Sequence, residues 1–387
     1  MPLQEPASRL ANSPIGRLVS LPDSHRAYVP SPLPRTLPLD APLVYLLDRA
    51  SRAVATLAGV GETLPNPHVL IRPFLHREAV LSSRIEGTQA SISDVFMFEA
   101  TGERRDRFGD AREVANYVRA LEHGLRRLRE LPLGVHLANE VHGVLLEGVR
   151  GRDRTPGELR NRQVWIGSEG TGIGEARFVP PPPELVRDLL ADWERFVNED
   201  PELPPLVQCA LMHYQFEAIH PYLDGNGRIG RLLITLFLCA KDVLRTPLLS
   251  LSAYFERRRQ AYYEHLLALS ETGDWGAWLR FFLEGVLEQA QDALDRSRRL
   301  RTLQDECRAL LQERRASANA FRLTERLFAN PYVTAPMAAA ALGVTHAGAR
   351  LILERLAEIG LLRGVPSKRP RLYVAARILD AIQEPDA

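Results

Sequence analysis

Apolar and polar positions follow a helical period over most of this chain, and strand-like patterns are confined to a few short stretches. Residues 206–219 place apolar side chains three and four positions apart, and residues 232–240 are almost wholly apolar. The first pattern predicts an amphipathic helix and the second a helix buried on all sides. Twelve residues between them, 220–231, are polar or glycine-rich, so two core helices are predicted to hold one polar loop.

Helical spacing predicts further helices on both sides of this pair. Residues 1–38 are rich in Pro, Ser and Arg and predict an extended, helix-free arm. Predicted helices then cover residue 40 to a break at Gly59–Gly61, Asn66–Pro67 to about 86, 110–129, 135–146, the segment after Pro180–Pro183, 252–270, 275–313, 323–328, 335–342 and 345–359.

Two stretches predict short strands. Gln163–Gly167 and Ala176–Pro180 flank a glycine-rich tip and predict a β-hairpin, with a plain connecting loop as the alternative. Near the end of the chain, 361–365 and 371–374 flank 366–370 as a small β-wing. The expected fold class is therefore mainly α.

Length and composition are those of a globular protein. A chain of 387 residues allows two or three domains, and 49 Lys and Arg against 48 Asp and Glu give no bulk charge that favours nucleic acid. The three cysteines are widely spaced and lack metal-ligand spacing, which favours a reducing compartment. We find no signal peptide and no membrane span in the pattern, so we expect a cytoplasmic protein.

The loop from His220 to Arg231 carries the chemistry. Gly225 and Gly227 allow close backbone approach, and the free N–H groups of the following helix form a cradle for anions such as phosphates. Arg228 and Arg231 lie three apart and are expected to share a helix face, from which both can reach a bound anion. Asp224 is a candidate Mg²⁺ ligand, and His220 is a candidate general base. The alternative is a glycine-rich turn between helices with a structural histidine and surface arginines.

A second candidate lies upstream. Gly87 is typical of the residue just past a helix end, which places Glu86 at the negative end of the helix dipole. A carboxylate at that end needs a nearby cation, so Glu86 is expected to pair with one. The alternative is a solvated surface glutamate.

The loop resembles the motif of the Fic family, H-x-F-x-(D/E)-G-N-G-R-x-x-R, with Tyr222 where Phe is usual. The resemblance implies a helical Fic core and a protein adenylyltransferase that moves AMP from ATP to a Ser, Thr or Tyr hydroxyl. It implies that His220 is the base and that Asp224 binds Mg²⁺, or Mn²⁺ in its place. The implied phosphate contacts are Gly225, Asn226 and Gly227 in an anion hole, with Arg228 and Arg231 on the outer phosphates.

The same resemblance extends to three other segments. Ser82, Glu86 and Gly87 fit the inhibitory pattern (S/T)-x-x-x-E-(G/N), in which the glutamate pairs with the second motif arginine, here Arg231. The predicted hairpin resembles the Fic flap, whose edge takes up the target protein as an added strand, with Val164, Trp165, Ile166 and Phe178 as docking residues. Tyr263, in the Tyr262–Tyr263 pair, is implied as a nucleotide contact near adenine.

The C-terminal segment resembles a winged helix-turn-helix. Thr345 is expected to cap its recognition helix, which would present His346 and Arg350, while the wing would bring Arg363, Lys368, Arg369 and Arg371 to phosphates. The alternative is a protein-interaction or dimerisation module. We expect an N-terminal helical region at 1–105, the catalytic core at 106–300, and a linker helix with the winged helix at 301–387.

Two other functions remain open from the sequence. The same pocket, with Glu86 in place, could remove AMP from modified proteins. Alternatively, the chain could be a DNA-binding regulator whose core only senses ATP. A homodimer is also left open.

Overall fold

The fold is mainly α-helical, as the sequence predicts. A computed structural model describes residues 9–63, 67–102, 109–167, 170–366 and 371–383. The helices up to the central loop are α1 (Ala41–Thr63), α2 (Pro67–Ile85), α3 (Ile92–Thr101), α4 (Gly109–Arg127), α5 (Val135–Leu145), α6 (Pro183–Asn198) and α7 (Pro205–Ile219). The helices after it are α8 (Asn226–Ala240), α9 (Ser252–Arg257), α10 (Arg259–Thr272), α11 (Trp275–Glu313), α12 (Ala318–Leu327), α13 (Ala335–Leu342), α14 (His346–Glu358) and α15 (Ala376–Gln383).

The pair α7 and α8 forms the centre of the core, and it confirms the two helices predicted around the polar loop. Proline at the first position starts α7, where the missing N–H is no loss. Nearly every side chain of α7 and α8 is buried. The six residues between them are therefore fixed at both ends by packed helices, which gives the loop a rigid mounting.

The first long helix continues where the sequence predicts a break. The α1 helix passes through Gly59 and Gly61 to Thr63 and packs along α11. A Cβ built on Gly61 would lie 3.0 Å from the Thr246 side chain, so this glycine permits a close approach rather than ending the helix. The predicted break is therefore wrong, because packing along α11 outweighs the helix-breaking tendency of the two glycines.

The N-terminal arm forms a β-hairpin, which the sequence does not predict. Strands β1 (Gly16–Ser20) and β2 (Arg26–Pro30) pair antiparallel, with Gly16 opposite Pro30. The Tyr28 N–H also donates to the Val179 carbonyl at 2.8 Å. The hairpin thus lies against the outgoing segment of the predicted flap.

The predicted flap strands reduce to a single antiparallel bridge between Ile166 and Phe178. Pairing cannot extend through Pro180, which has no N–H to donate. Gln163 Nε2 instead donates to the carbonyls of Val164 and Pro180, both at 2.9 Å. The two-strand hairpin prediction is therefore wrong in extent, although the two segments do meet.

The C-terminal segment combines helices α12 to α15 with a three-stranded antiparallel sheet. Its strands are β3 (Tyr332–Thr334), β4 (Arg363–Val365) and β5 (Leu372–Val374), in the order β3-β5-β4. Thr345 caps α14 by accepting from the Gly348 N–H at 3.1 Å, as predicted. The segment contacts α3 through a hydrogen bond of 2.7 Å between the Ser93 and Tyr332 hydroxyls. The winged-helix interpretation and the domain boundaries stay predictions.

Among the described residues, no single helix has the length and apolar content needed to cross a membrane. Helices α13 and α14 are joined at a sharp bend and reach this length and apolar content only when they are counted together; the match rests on length and composition alone.

Candidate active site

His220 is the first residue of the central loop and has an unusual backbone conformation. It ends α7 in the left-handed region, at φ 51° and ψ 61°, which costs a non-glycine residue about 1–2 kcal/mol. Its N–H donates to the Phe216 carbonyl at 3.0 Å, and its own carbonyl accepts from Arg160 Nε at 2.8 Å. The imidazole lines a cavity of about 590 Å³.

The imidazole is held neutral at physiological pH. Burial and the Arg160 charge lower the pKa of His220 to about 4, against the opposing effects of the Glu217 carbonyl and the Glu86 charge. The Nδ1 atom is buried and has no hydrogen-bond partner among the described residues. A neutral imidazole meets the electrostatic requirement for a proton acceptor.

Asn226 stabilises the loop by bridging its backbone. Its Oδ1 accepts from the Tyr222 N–H and its Nδ2 donates to the Tyr222 carbonyl, both at 2.8 Å. The predicted placement of Asn226 in an anion hole therefore rests on its backbone N–H alone, because the side chain is fully engaged. Gly225, in the left-handed conformation at φ 79°, forms the turn that starts α8.

Asp224 is a loop residue that contacts α5. Its Oδ1 accepts from the Gly225 N–H at 2.6 Å, and the side chain is 36% exposed. His142, which the sequence reasoning missed, holds the Asp224 backbone through a 3.0 Å hydrogen bond between Nε2 and the Asp224 carbonyl. Because the Gly157 N–H donates to His142 Nδ1, the Nε2 atom carries the proton and donates. Only the fold reveals this role, since His142 lies in an ordinary amphipathic helix.

Glu86 and Arg231 form the ion pair that the sequence predicts for a carboxylate at that helix end. Arg231 Nη2 lies 2.6 Å from Glu86 Oε1, and Arg231 Nε donates to the buried Ser82 hydroxyl at 2.9 Å. Burial acts to raise the pKa of Glu86, but the Arg231 charge outweighs it and the pKa falls below its usual range. A Cβ on Gly227 would lie 2.3 Å from Glu86 Oε1, so a larger residue there would displace the Glu86 carboxylate from its present position.

Arg228 faces away from this pair. Its guanidinium lies 3.5 Å from Glu113 Oε2 and 3.5 Å from Asp224 Oδ1, and the residue is 2% exposed. It does not line the cavity that Arg231 lines. In this conformation Glu113 and Asp224 hold Arg228 outside the cavity that Arg231 lines, and the expectation that both arginines reach one anion stays a prediction.

The cavity wall brings together Glu86, which follows α2, with groups from α7, α8, α10 and the flap. Tyr263 lines it, and its nucleotide contact stays a prediction, whereas Tyr262 is buried and bonds to His213. Glu217, which the sequence reasoning missed, also lines the cavity, and burial raises its pKa to about 7 against the opposing Arg231 charge, with a smaller contribution from Glu86. Its position one turn before His220 was the available signal.

Three of the four predicted flap residues line the cavity, and one does not. Trp165, Ile166 and Phe178 line the cavity, and the Trp165 side chain is 44% exposed. Val164 does not line the cavity, although the sequence groups it with them. The flap therefore contributes part of the wall of the cavity that Arg231 and Glu86 also line.

The C-terminal helix proposed for DNA contact carries paired charges. Arg350 pairs with Glu354 at 2.9 Å and Arg355 with Glu358 at 2.9 Å, so this part of α14 has no excess of positive charge. His346 is exposed. Two of the four predicted wing residues, Lys368 and Arg369, lie outside the described residues, while Arg363 and Arg371 are exposed. DNA binding stays a prediction.

Comparisons with known proteins show what this chain is similar to. Residues 44–126 match the model of the Fic/DOC family N-terminal region, and residues 132–238 match the model of the Fic/DOC family. "Protein adenylyltransferase Fic" of Drosophila erecta is 31% identical over 130 residues, which is 33% of this chain and 23% of that protein. The corresponding protein of Drosophila yakuba is 33% identical over a stretch of the same length. The chain thus spans about a quarter of the length of these curated relatives.

Solved structures show the fold. A Fic family protein from Desulfovibrio desulfuricans G20 superposes with a TM-score of 0.57 at 20% identity, covering 88% of this chain and 97% of that one. A variant of Fic-1 from C. elegans gives 0.50 at 22% identity, over 66% and 74% of the two chains. The helical Fic fold and the two family matches together show that this chain belongs to the Fic/DOC family.

Proposed function

We propose that this chain is a protein adenylyltransferase that moves AMP from ATP to a Ser, Thr or Tyr hydroxyl of a target protein or of itself. One observation carries the proposal: a single cavity is lined by the neutral His220 imidazole, by Gly227 at the start of α8, and by the buried Arg231 guanidinium. The similar Drosophila proteins are named protein adenylyltransferases, which supports the same chemistry.

The lining groups suit each part of an in-line displacement. His220 accepts the proton of the target hydroxyl, whose oxygen attacks the α-phosphorus, and pyrophosphate leaves. The N–H groups at the start of α8 and the Arg231 charge stabilise the negative charge on the phosphates. Catalysis then rests on positioning and charge stabilisation, as in phosphoryl transfer generally.

Asp224 fits a role in holding Mg²⁺ or Mn²⁺. No cluster of three or more His, Cys, Asp or Glu side chains suited to a metal occurs in the described part of the chain. Mg²⁺ commonly takes one or two carboxylates and completes its shell with substrate phosphates and water. The partly exposed Asp224 carboxylate supplies such a ligand, and the ion would neutralise phosphate charge when bound.

Glu86 is proposed to inhibit the enzyme. Its carboxylate holds Arg231 at 2.6 Å inside the cavity where the outer phosphates of ATP would bind. A nucleotide must therefore displace Glu86 or bind with its triphosphate turned away from the productive position. Ser82 orients the same guanidinium, so the end of α2 acts as one inhibitory unit.

Removal of AMP is a second candidate activity, because Glu86 stands in the same cavity as His220. A carboxylate there could align water against an AMP-modified side chain. Incubation of the wild-type chain with protein that the Glu86→Gly variant has adenylylated separates the two activities. Release of AMP would support removal, and a stable modification would exclude it.

Target proteins are proposed to dock on the flap, where Trp165 is exposed beside the cavity. The direct test is to incubate the Glu86→Gly variant with labelled ATP in a cell lysate and to identify labelled proteins by mass spectrometry. Modified Ser, Thr or Tyr residues support the proposal. Sequence-specific DNA binding without any labelled protein would favour the DNA-binding regulator instead.

A further inference from the structure

Arg160 is a buried cation near the proposed base. It follows the turn after α5 and is only 3% exposed. Within the described residues no carboxylate forms an ion pair with it, although the more distant Glu184 acts on its pKa. A buried charge is costly unless its donors are satisfied, so the partners that it does have define its role.

One group of partners is the backbone at the end of α7. Arg160 Nε donates to the His220 carbonyl at 2.8 Å, and Nη2 donates to the Ile219 carbonyl at 3.3 Å. The Arg160 N–H also donates to the Pro221 carbonyl at 2.9 Å. Three consecutive carbonyls at the negative end of the helix dipole are thus held by one residue.

A second group of partners lies at the base of the flap. Arg160 Nη2 donates to the Pro181 carbonyl, and Nη1 donates to the Arg162 carbonyl at 3.4 Å. These two carbonyls belong to the segments that enter and leave the flap. One planar guanidinium therefore connects both flap segments to the backbone of His220, a geometry that the point charge of lysine cannot reproduce.

This connection matters because His220 is in a strained conformation. A left-handed histidine persists only when its surroundings fix it. The 2.8 Å hydrogen bond from Arg160 holds the His220–Pro221 peptide, so loss of this bond would release the strained backbone that carries the imidazole.

We infer that Arg160 is a positioning residue for adenylyl transfer: it fixes the backbone that directs the His220 imidazole into the cavity and ties that backbone to the flap. The inference rests on the proposed function, because it concerns the distance between the base and a hydroxyl docked on the flap. Arg160 does not line the cavity, so its effect is exerted through His220 and the flap.

Arg160 also contributes to the protonation state of the base. Burial is the largest cause of the low His220 pKa, and the Arg160 charge is the second largest. The Glu217 carbonyl and Glu86 act in the opposite direction. Removing the charge should therefore raise the His220 pKa. The other charged groups that line the cavity are Glu86, Glu217, Arg231, Arg259, Arg177 and Glu175.

The test compares Arg160→Met and Arg160→Lys in the Glu86→Gly background, with Arg162→Met as the matched control because the Arg162 side chain is exposed. The readouts are affinity for a non-hydrolysable ATP analogue, kcat and KM for transfer, the pH profile of kcat/KM, and the His220 pKa from NMR titration. The His220→Ala spectrum assigns the signal.

For Arg160→Met we expect kcat to fall by about tenfold or more, because small misplacements of a reacting group cost up to about 100-fold. The nucleotide affinity should stay within about twofold, and the His220 pKa and the acid limb of the profile should move to higher pH. Arg160→Lys should keep the low pKa but still lose kcat, because it loses the fork of donors. Arg162→Met should match the parent.

Full kcat in Arg160→Met or in Arg160→Lys would overturn the inference, and an unchanged His220 pKa in Arg160→Met would contradict the contribution of Arg160 to the protonation state of the base. The lysine variant keeps the inference testable if the methionine variant does not fold. Failure of the proposed function is a different result, since the parent Glu86→Gly variant would then transfer no AMP at all.

Discussion

Replacement of Glu86 by glycine should activate the enzyme, and the structure sets the size of the effect. In the wild-type chain, Arg231 is bound to Glu86 Oε1 at 2.6 Å and is available to a nucleotide only when this pair opens. A hydrogen bond to a charged group contributes about 1.5–3 kcal/mol, and a fully buried pair more. The Glu86 side chain is 32% exposed, so about 2–3 kcal/mol is appropriate.

An opening cost of this size leaves about one molecule in 30 to 150 competent to bind ATP productively. Glu86→Gly removes the cost, so the initial rate of transfer at limiting ATP should rise about 30- to 150-fold. The rise should shrink as ATP approaches saturation, provided that ATP displaces Glu86 in the wild-type chain.

The assay follows incorporation of label from ATP into protein at several ATP concentrations. Glu256→Gln is the matched control, because Glu256 pairs with Arg84 at the same end of α2 but does not line the cavity. It should behave as the wild-type chain. Equal initial rates for Glu86→Gly and the wild-type chain would refute the reasoning that this ion pair limits productive binding.

Three further outcomes follow from the site and its surroundings. His220→Ala in the Glu86→Gly background should abolish AMP transfer while calorimetry shows retained nucleotide binding; near-normal transfer would exclude His220 as the base. Asn226→Ala should lower the free energy of unfolding in urea by about 2–4 kcal/mol, because it leaves two buried Tyr222 backbone groups unpaired; an effect as small as that of the more exposed Asn319→Ala would contradict this. Stability should also fall on acidification. Three buried histidines have folded-state pKa values well below the ordinary 6.5, so the unfolded chain binds more protons than the folded one, whereas Glu217 acts in the opposite sense because its folded pKa is raised to about 7. The histidines are His142 at about 4, His213 at about 3 and His220 at about 4. The net excess of protons bound by the unfolded chain should lower the free energy of unfolding by about 2 kcal/mol for each pH unit of acidification near pH 5.5. A flat pH dependence of urea unfolding between pH 6.5 and 4.5 would contradict this prediction.

The helical core could be predicted because its pattern is strong. The long helix α11 begins at Trp275 and ends at Glu313, as the sequence predicts, since a sustained apolar face and an Asp274 cap fix its start. The pairing of Glu86 with a cation was also predictable from the helix dipole. Its partner, Arg231, came from the family motif and not from spacing, because 145 residues separate the two side chains.

The missed elements depend on contacts that a local pattern does not contain. The hairpin of β1 and β2 forms in a proline-rich arm because β2 is buried and bonds to the flap through Tyr28. The short helix α3 has a Ser91–Asp94 capping box, a signal that was present in the sequence but not used. The predicted helix over 252–270 divides at Arg258, whose backbone leaves the helical region at φ −116° and ψ 36°.

Two site residues that sequence reasoning missed, Arg160 and His142, hydrogen-bond to backbone groups of the loop and not to side chains of the motif. Arg160 and His142 donate to carbonyls of the central loop, and no motif spacing records such contacts. Arg228 was expected to reach the same anion as Arg231, but helical spacing fixes only the direction in which the Cα–Cβ bond leaves the helix. The direction of its charged end was set by Glu113, from a different helix.

The central claim, that the cavity transfers the adenylyl part of ATP, is tested most directly by the position of the label. The Glu86→Gly variant is incubated with ATP labelled at the α-phosphate and, in parallel, with ATP labelled at the γ-phosphate, each beside its His220→Ala counterpart. We predict that protein takes up the α-label only, and that the His220→Ala counterpart takes up neither. Incorporation of the γ-label, or equal α-labelling with and without His220, would contradict the account.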